Sequence, residues 1–240
     1  MGRGKWTDGH QRTPRRTDSG VNSAIYSLSH LQETGLVSRQ RVESFKDATD
    51  LADFTWEATW ADRCGTRLDE ALGSSQGCVI LIHGWDGSHA IWEDLASRIC
   101  LENSRLIVLA PDVNGFGGSP FASEPPRLEF CDPASLIRAV ELWIDLLGLR
   151  SGAKASRRLR VFTLVGHSMG GAATFYLNER QWRPHEVGRM AVAPALLTKD
   201  TLRKEFYKTL GLGIWAGSAT MTLDWLKKRL APRLIDALIG

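Results

Sequence analysis

The run Leu159-Arg160-Val161-Phe162-Thr163-Leu164-Val165 leads straight into Gly166-His167-Ser168-Met169-Gly170-Gly171, and Ala172 and Ala173 follow. The β-branched and apolar residues read as a strand, and the small residues let a helix begin at once. A strand, a very tight turn and a helix, with G-x-S-x-G at the turn, lift a serine hydroxyl clear of a sheet. Such a serine sits in a strained backbone conformation, so the positions two residues either side cannot carry bulky side chains. The helix N-terminus also points toward any negative charge that develops beside the hydroxyl. Ser168 is therefore the candidate nucleophile, with Gly166 and Gly170 as its steric supports.

Two further strands read the same way. Cys78-Val79-Ile80-Leu81-Ile82 is a continuous apolar run, as expected for a strand buried on both faces of a parallel sheet. It ends in His83-Gly84-Trp85-Asp86-Gly87, and a helical pattern is predicted from Ala90 to Cys100. Leu106-Ile107-Val108-Leu109-Ala110 ends in Pro111-Asp112-Val113-Asn114-Gly115-Phe116-Gly117-Gly118-Ser119. Pro133 opens a helix predicted to run through Leu149, with Leu136, Ile137, Val140, Trp143, Ile144 and Leu147 at helical spacing. Phe54 to Trp60 alternates and reads as an opening strand, with Thr66 to Leu72 as its partner. Strands alternating with helices call for right-handed βαβ units and ligands at the strand C-terminal ends.

An apolar strand with His-Gly, then Asp-x-x-Gly-x-Gly-x-Ser, then Gly-His-Ser-Met-Gly-Gly, in this order, resembles the α/β-hydrolase fold family from about Phe54 onward. The resemblance implies that Ser168 is the nucleophile and that the backbone N–H groups of Trp85 and Met169 form the oxyanion hole. His83, beside Gly84, would order its loop by hydrogen bonding, His167 would pack beneath the elbow, and Asp112 would cap or brace its loop. A serine nucleophile argues against dehalogenase and epoxide hydrolase chemistry, which use aspartate in this fold. What remains is acyl chemistry, with a carboxylic ester first and carbon–carbon hydrolysis or acyl transfer as alternatives. A non-catalytic scaffold that only binds a ligand or partner is the second class.

The family's order is Ser, then Asp or Glu, then His. A sixth strand is predicted at Val187 to Val192, and the residues after Asp200 read as helices. Strands seven and eight of the family are not legible, so the expectation is an incomplete, mostly parallel α/β sheet with a helical cap, cut from the N-terminal part of a hydrolase. The apolar segment around Leu212, Ile214, Trp215 and Met221 would line the acyl site. His185 is the only histidine after Ser168; it is expected in an exposed loop at the far end of the sheet. Asp200 is expected to cap a helix, and His89 to start a loop or helix. The acid and base would lie on a missing C-terminal part, with a complementing chain as the rarer alternative. Strand six would be left as an uncovered edge.

The chain has 240 residues, 43% of them hydrophobic, and a net charge of +3. That supports one core plus a cap and is too slight a charge for nucleic acid. Residues 1–50 are expected to form a disordered or weakly helical extension, 51–197 the hydrolase core and 198–240 the cap. Arg3, Lys5, Arg12, Arg15 and Arg16 concentrate charge near the N-terminus without apolar content. No membrane span or signal peptide is predicted. Cys64, Cys78, Cys100 and Cys131 lack metal-ligand or disulfide-like spacing, which fits a reducing cytoplasm. No metal or cofactor is expected, and the partner is a small acyl substrate.

Overall fold

The structure is a computed structural model that describes residues 15–16, 20–61, 66–150, 159, 161–182 and 185–195. The chain divides into two compact units, Met1–Ala195 and Leu196–Gly240, and all described residues belong to the first. The predicted cap, with Asp200, Leu212, Ile214, Trp215 and Met221, lies outside the described residues, as does Cys64.

The first unit is built on a seven-stranded sheet in the order β1-β2-β3-β5-β4-β6-β7. The strands are β1 (Arg15–Arg16), β2 (Val21–Ser27), β3 (Thr55–Ala61), β4 (Gly77–Ile82), β5 (Leu106–Pro111), β6 (Val161–His167) and β7 (Glu186–Val192). β5, β4, β6 and β7 run parallel, whereas β1, β2 and β3 join through antiparallel pairs. Every residue of β4 is buried, as its unbroken apolar run requires at the middle of a two-faced sheet.

Successive side chains on each strand go to opposite faces, and helices cover both. On one face α4 (Leu95–Glu102) lays Ala96 and Cys100 over Val79, Leu81, Val108 and Ala110. On the other, α5 (Pro133–Leu146) buries Leu136, Ile137, Val140, Trp143 and Ile144 against Cys78, Ile80, Ile82, Phe162 and Leu164. α5 starts where Pro133 predicts it, with Asp132 accepting from Ser135 N–H. It ends at Leu146, three residues before the predicted Leu149, and Gly148 follows with a positive φ of 71°.

Several expectations fail here. Residues 21–50 are not an extension. Val21–Ser27 pairs along its whole length with β3, from Val21↔Ala61 to Ser27↔Thr55. α1 (Leu28–Glu33) and α2 (Arg39–Thr49) follow and join the core through Leu28, Leu31, Val42 and Phe45. Ile25 belongs to the strand, because pairing with β3 outweighs a weak local helical spacing. Thr66 to Leu72 is not the partner of β3. Leu68–Ser74 is helix α3, and Glu70 reaches back to the Arg67 N–H at 3.3 Å.

The single helix predicted from Ala90 is also broken. A 3-10 turn spans His89–Trp92, Glu93 takes a φ of 45°, and only then does α4 begin. The helix after Ser168 is divided into α6 (Met169–Ala173), a 3-10 turn at Thr174–Tyr176 and α7 (Glu179–Trp182). Phe45, Phe54, Trp56 and Trp143 form one aromatic cluster with centroid separations of 5.2 to 5.4 Å. That cluster joins α2, β3 and α5. No helix among the described residues is long and apolar enough to cross a membrane.

Candidate active site

The C-terminal ends of β5, β4 and β6 are neighbours in the sheet, so the three glycine-bearing loops converge there. β6 ends at His167, Ser168 has φ 52° and ψ −115°, and α6 starts at Met169. This is the strained turn that the hexapeptide predicts. A side chain at Gly166 would collide with the Gly170 carbonyl, and one at Gly170 with the Ile82 and His83 carbonyls. Only hydrogen fits at either place.

The elbow is held from both sides. Ser168 N–H donates to Val192 O at 3.0 Å, while Ser168 O accepts from Ala172 N–H at 3.0 Å and Ala195 N–H at 2.9 Å. Ser168 is half-buried, and its hydroxyl has no hydrogen-bond partner among the described residues. Gly84 lies against it, since a Cβ on Gly84 would stand 2.9 Å from Ser168 Cβ. Neither the Trp85 nor the Met169 N–H has a hydrogen-bond partner among the described residues.

His83 is fully buried and acts as a tie between loops. Its Nε2 accepts from Val113 N–H at 2.9 Å, which leaves Nδ1 to donate to Gly84 O at 2.7 Å. Burial lowers its pKa, so the ring is a neutral bridge between the β4 and β5 loops. Both nitrogens are used.

Asp112 braces the same region. Its Oδ1 accepts from His89 N–H at 2.6 Å and His89 Nδ1 at 2.8 Å, and its Oδ2 accepts from Gly118 N–H at 2.7 Å. Burial works against ionisation, but the His89 contacts and the backbone N–H bonds outweigh it and hold the carboxyl below its usual value. Burial likewise opposes the charge on His89, yet Asp112 and then Glu57 raise its pKa. His89 starts a 3-10 turn, in line with expectation. Its ring contact with Asp112 went unread, because no local pattern ties positions 89 and 112. The one available signal is that they follow strands predicted to be neighbours.

Two histidines differ from expectation. His167 is exposed rather than packed beneath the elbow. It shares a sheet face with Val161, Thr163 and Val165, where α4 gives only partial cover. His185 is half-buried rather than loose in solvent. Its Nδ1 meets Leu159 O at 2.9 Å and its ring meets Phe162 edge-on at 5.4 Å. It precedes β7 at the opposite end of the sheet from Ser168, about 20 Å away by strand length at ~3.3 Å per residue. Cys78, Cys100 and Cys131 are free thiols, and burial pushes the Cys100 thiol up to about 12. Among the described residues no cluster of three or more His, Cys, Asp or Glu side chains could hold a metal ion.

The sequence profile of the alpha/beta hydrolase family matches residues 79–238. No curated protein matches the chain. Solved structures similar to it include a predicted CIB-like hydrolase from Thermoplasma acidophilum, at 20% identity and a TM-score of 0.40, covering 59% of this chain and 58% of that one. Another is a 2-hydroxy-6-oxo-6-phenylhexa-2,4-dienoate hydrolase from Rhodococcus, at 20% identity and a TM-score of 0.41, covering 60% and 43%. A lipase-esterase related protein from Clostridium acetobutylicum is 18% identical, with a TM-score of 0.39 and coverage of 57% and 51%. The chain thus spans less than two thirds of the length of each. With a profile match over most of its length, and with the three strand-end loops in the sheet order described, the chain belongs to the alpha/beta hydrolase family.

Proposed function

We propose that the protein is a serine hydrolase that cleaves a small or medium-sized carboxylic ester through an acyl-enzyme on Ser168. The observation that carries this reading is the strained Ser168 backbone beside two unengaged N–H groups, those of Trp85 and Met169. In the first step the Ser168 hydroxyl oxygen attacks the acyl carbon and gives up its proton to a base. The carbonyl electron pair moves to oxygen, and the two N–H groups stabilise that oxyanion. Collapse expels the alcohol, which takes the proton, and water then releases the acid and restores the hydroxyl.

Two of the described histidines are unsuited to be that base. His83 has both ring nitrogens occupied and His185 lies at the opposite end of the sheet from Ser168, whereas the Asp112 bond uses only Nδ1 of His89. Magnitude makes this matter. Loss of the triad histidine costs on the order of a million-fold in turnover, while an oxyanion hole and binding retain roughly a thousand- to ten-thousand-fold over water.

The test is labelling with a fluorophosphonate followed by peptide mapping. Modification at Ser168, absent in Ser168→Ala, is the expected result. Equal labelling of the two proteins, or none of either, overturns the nucleophile assignment and favours a binding scaffold.

A further inference from the structure

Trp85 supplies more than a backbone N–H. Its indole is 59% exposed, whereas Trp56, Trp60, Trp143 and Trp182 are buried. Trp rings, with an apolar body and a polar N–H edge, are enriched at interfaces. The ring is also firmly mounted. It meets Phe116 edge-to-face at 5.1 Å and 66°, and Phe116 meets His83 at 6.3 Å and 81°. His83 is pinned at both nitrogens, and the loop that carries Phe116 is tied down by Gly118 N–H on Asp112 and by Thr55 Oγ1 on Gly118 O at 2.8 Å. The aromatic surface therefore needs little ordering when a ligand arrives.

Its position relates it to the reacting atoms. Gly84 touches Ser168, and Trp85 follows Gly84, so its Cα is about 3.8 Å farther along the chain. The ring thus originates one peptide unit from the nucleophile, in the loop whose N–H faces the developing oxyanion in the reading above.

We infer that Trp85 and Phe116 form the selectivity wall of the site and that it takes an ester whose acid carries a neutral aromatic ring. This rests on Ser168 being the nucleophile. Aromatic rings gain from edge and face complementarity in addition to the area they bury, while an alkyl chain of similar size gains from area alone. Two rings at 66° offer both an edge and a face. Phe116 acts through its hold on Trp85, and Trp85 makes the contact.

The experiment uses the full chain and two fluorophosphonates that differ only in ending with a phenyl or a butyl group. Ser168 oxygen displaces fluoride from phosphorus in both, so the ratio of their labelling rates reports the wall. The wild type is expected to favour the phenyl probe, and Trp85→Ala to lower that ratio about tenfold, the range for losing one apolar pocket contact. Phe116→Ala should lower it less, and Trp85→Phe should retain most of it. Trp85 is exposed, so an unchanged thermal midpoint is expected to accompany the altered ratio. Labelling at Ser168 with one and the same ratio in the wild type and Trp85→Ala overturns the wall while leaving the nucleophile intact. Absence of labelling by either probe removes the nucleophile reading and this inference with it.

Discussion

His89 and Asp112 show how single side chains set the condition of the site. The Asp112 carboxylate accepts two backbone N–H bonds and one from the His89 ring, all within a buried loop junction. The folded pKa of Asp112 is depressed, so its contribution is present above about pH 4 and is lost as pH falls through the folded value. That of His89 is raised, so its contribution is complete below about pH 6.5 and is lost as pH rises through the folded value. Between those limits the pair stabilises most. Buried neutral His83 works the other way below about pH 6.5, but it is common to the wild type and a His89 variant. The difference in urea midpoint between the wild type and His89→Gln is therefore expected to be larger at pH 5 than at pH 8. A difference that does not vary with pH would show that the pair is not ionic. None of this was legible from position 89 alone. The backbone geometry at Ser168, Gly166 and Gly170 was legible, because it follows from a local turn at a strand end.

At the scale of elements, legibility followed the strength of the local pattern. β4, β5, β6 and the start of α5 could be read because their apolar runs and Pro133 at the helix start are strong signals. β2 could not, since Val-Asn-Ser-Ala-Ile-Tyr-Ser becomes a strand through its pairing with β3. α5 also carries a polar anchor. Its buried Glu141 accepts from the Trp182 indole at 2.7 Å and Asn178 N–H at 3.1 Å. Buried Arg150 lies 3.7 Å from the same carboxylate and stacks on the Trp182 ring, while Asp145 also binds it. Glu141→Ala would leave an indole and a backbone donor without an acceptor and Arg150 with one carboxylate fewer. The expected cost is about 3–5 kcal/mol in urea unfolding. Glu141→Gln keeps an acceptor in place and should cost less; equal losses from the two would show that the charge is what matters.

Over the whole first unit, the two sheet faces are covered unequally. Val165 and Met190 are register partners on the face that α4 covers only in part, and Met190 on β7 is 57% exposed. Among the described residues β7 pairs with β6 alone and forms the last strand of the sheet. An edge strand with apolar side chains favours self-association. Met190→Lys is expected to change stability by no more than about 0.5 kcal/mol while lowering concentration-dependent light scattering. Unchanged scattering would place the association surface elsewhere.

The bond from Ser168 N–H to Val192 O has a bearing on biosynthesis. A ribosome releases β6 well before β7, so a nascent chain that has just exposed Ser168 does not yet hold it in the strained conformation. Docking of β7, followed by closure of Ala195 N–H onto Ser168 O, supplies that restraint. The turn at Ser168 is thus closed only once the chain through Ala195 has been made.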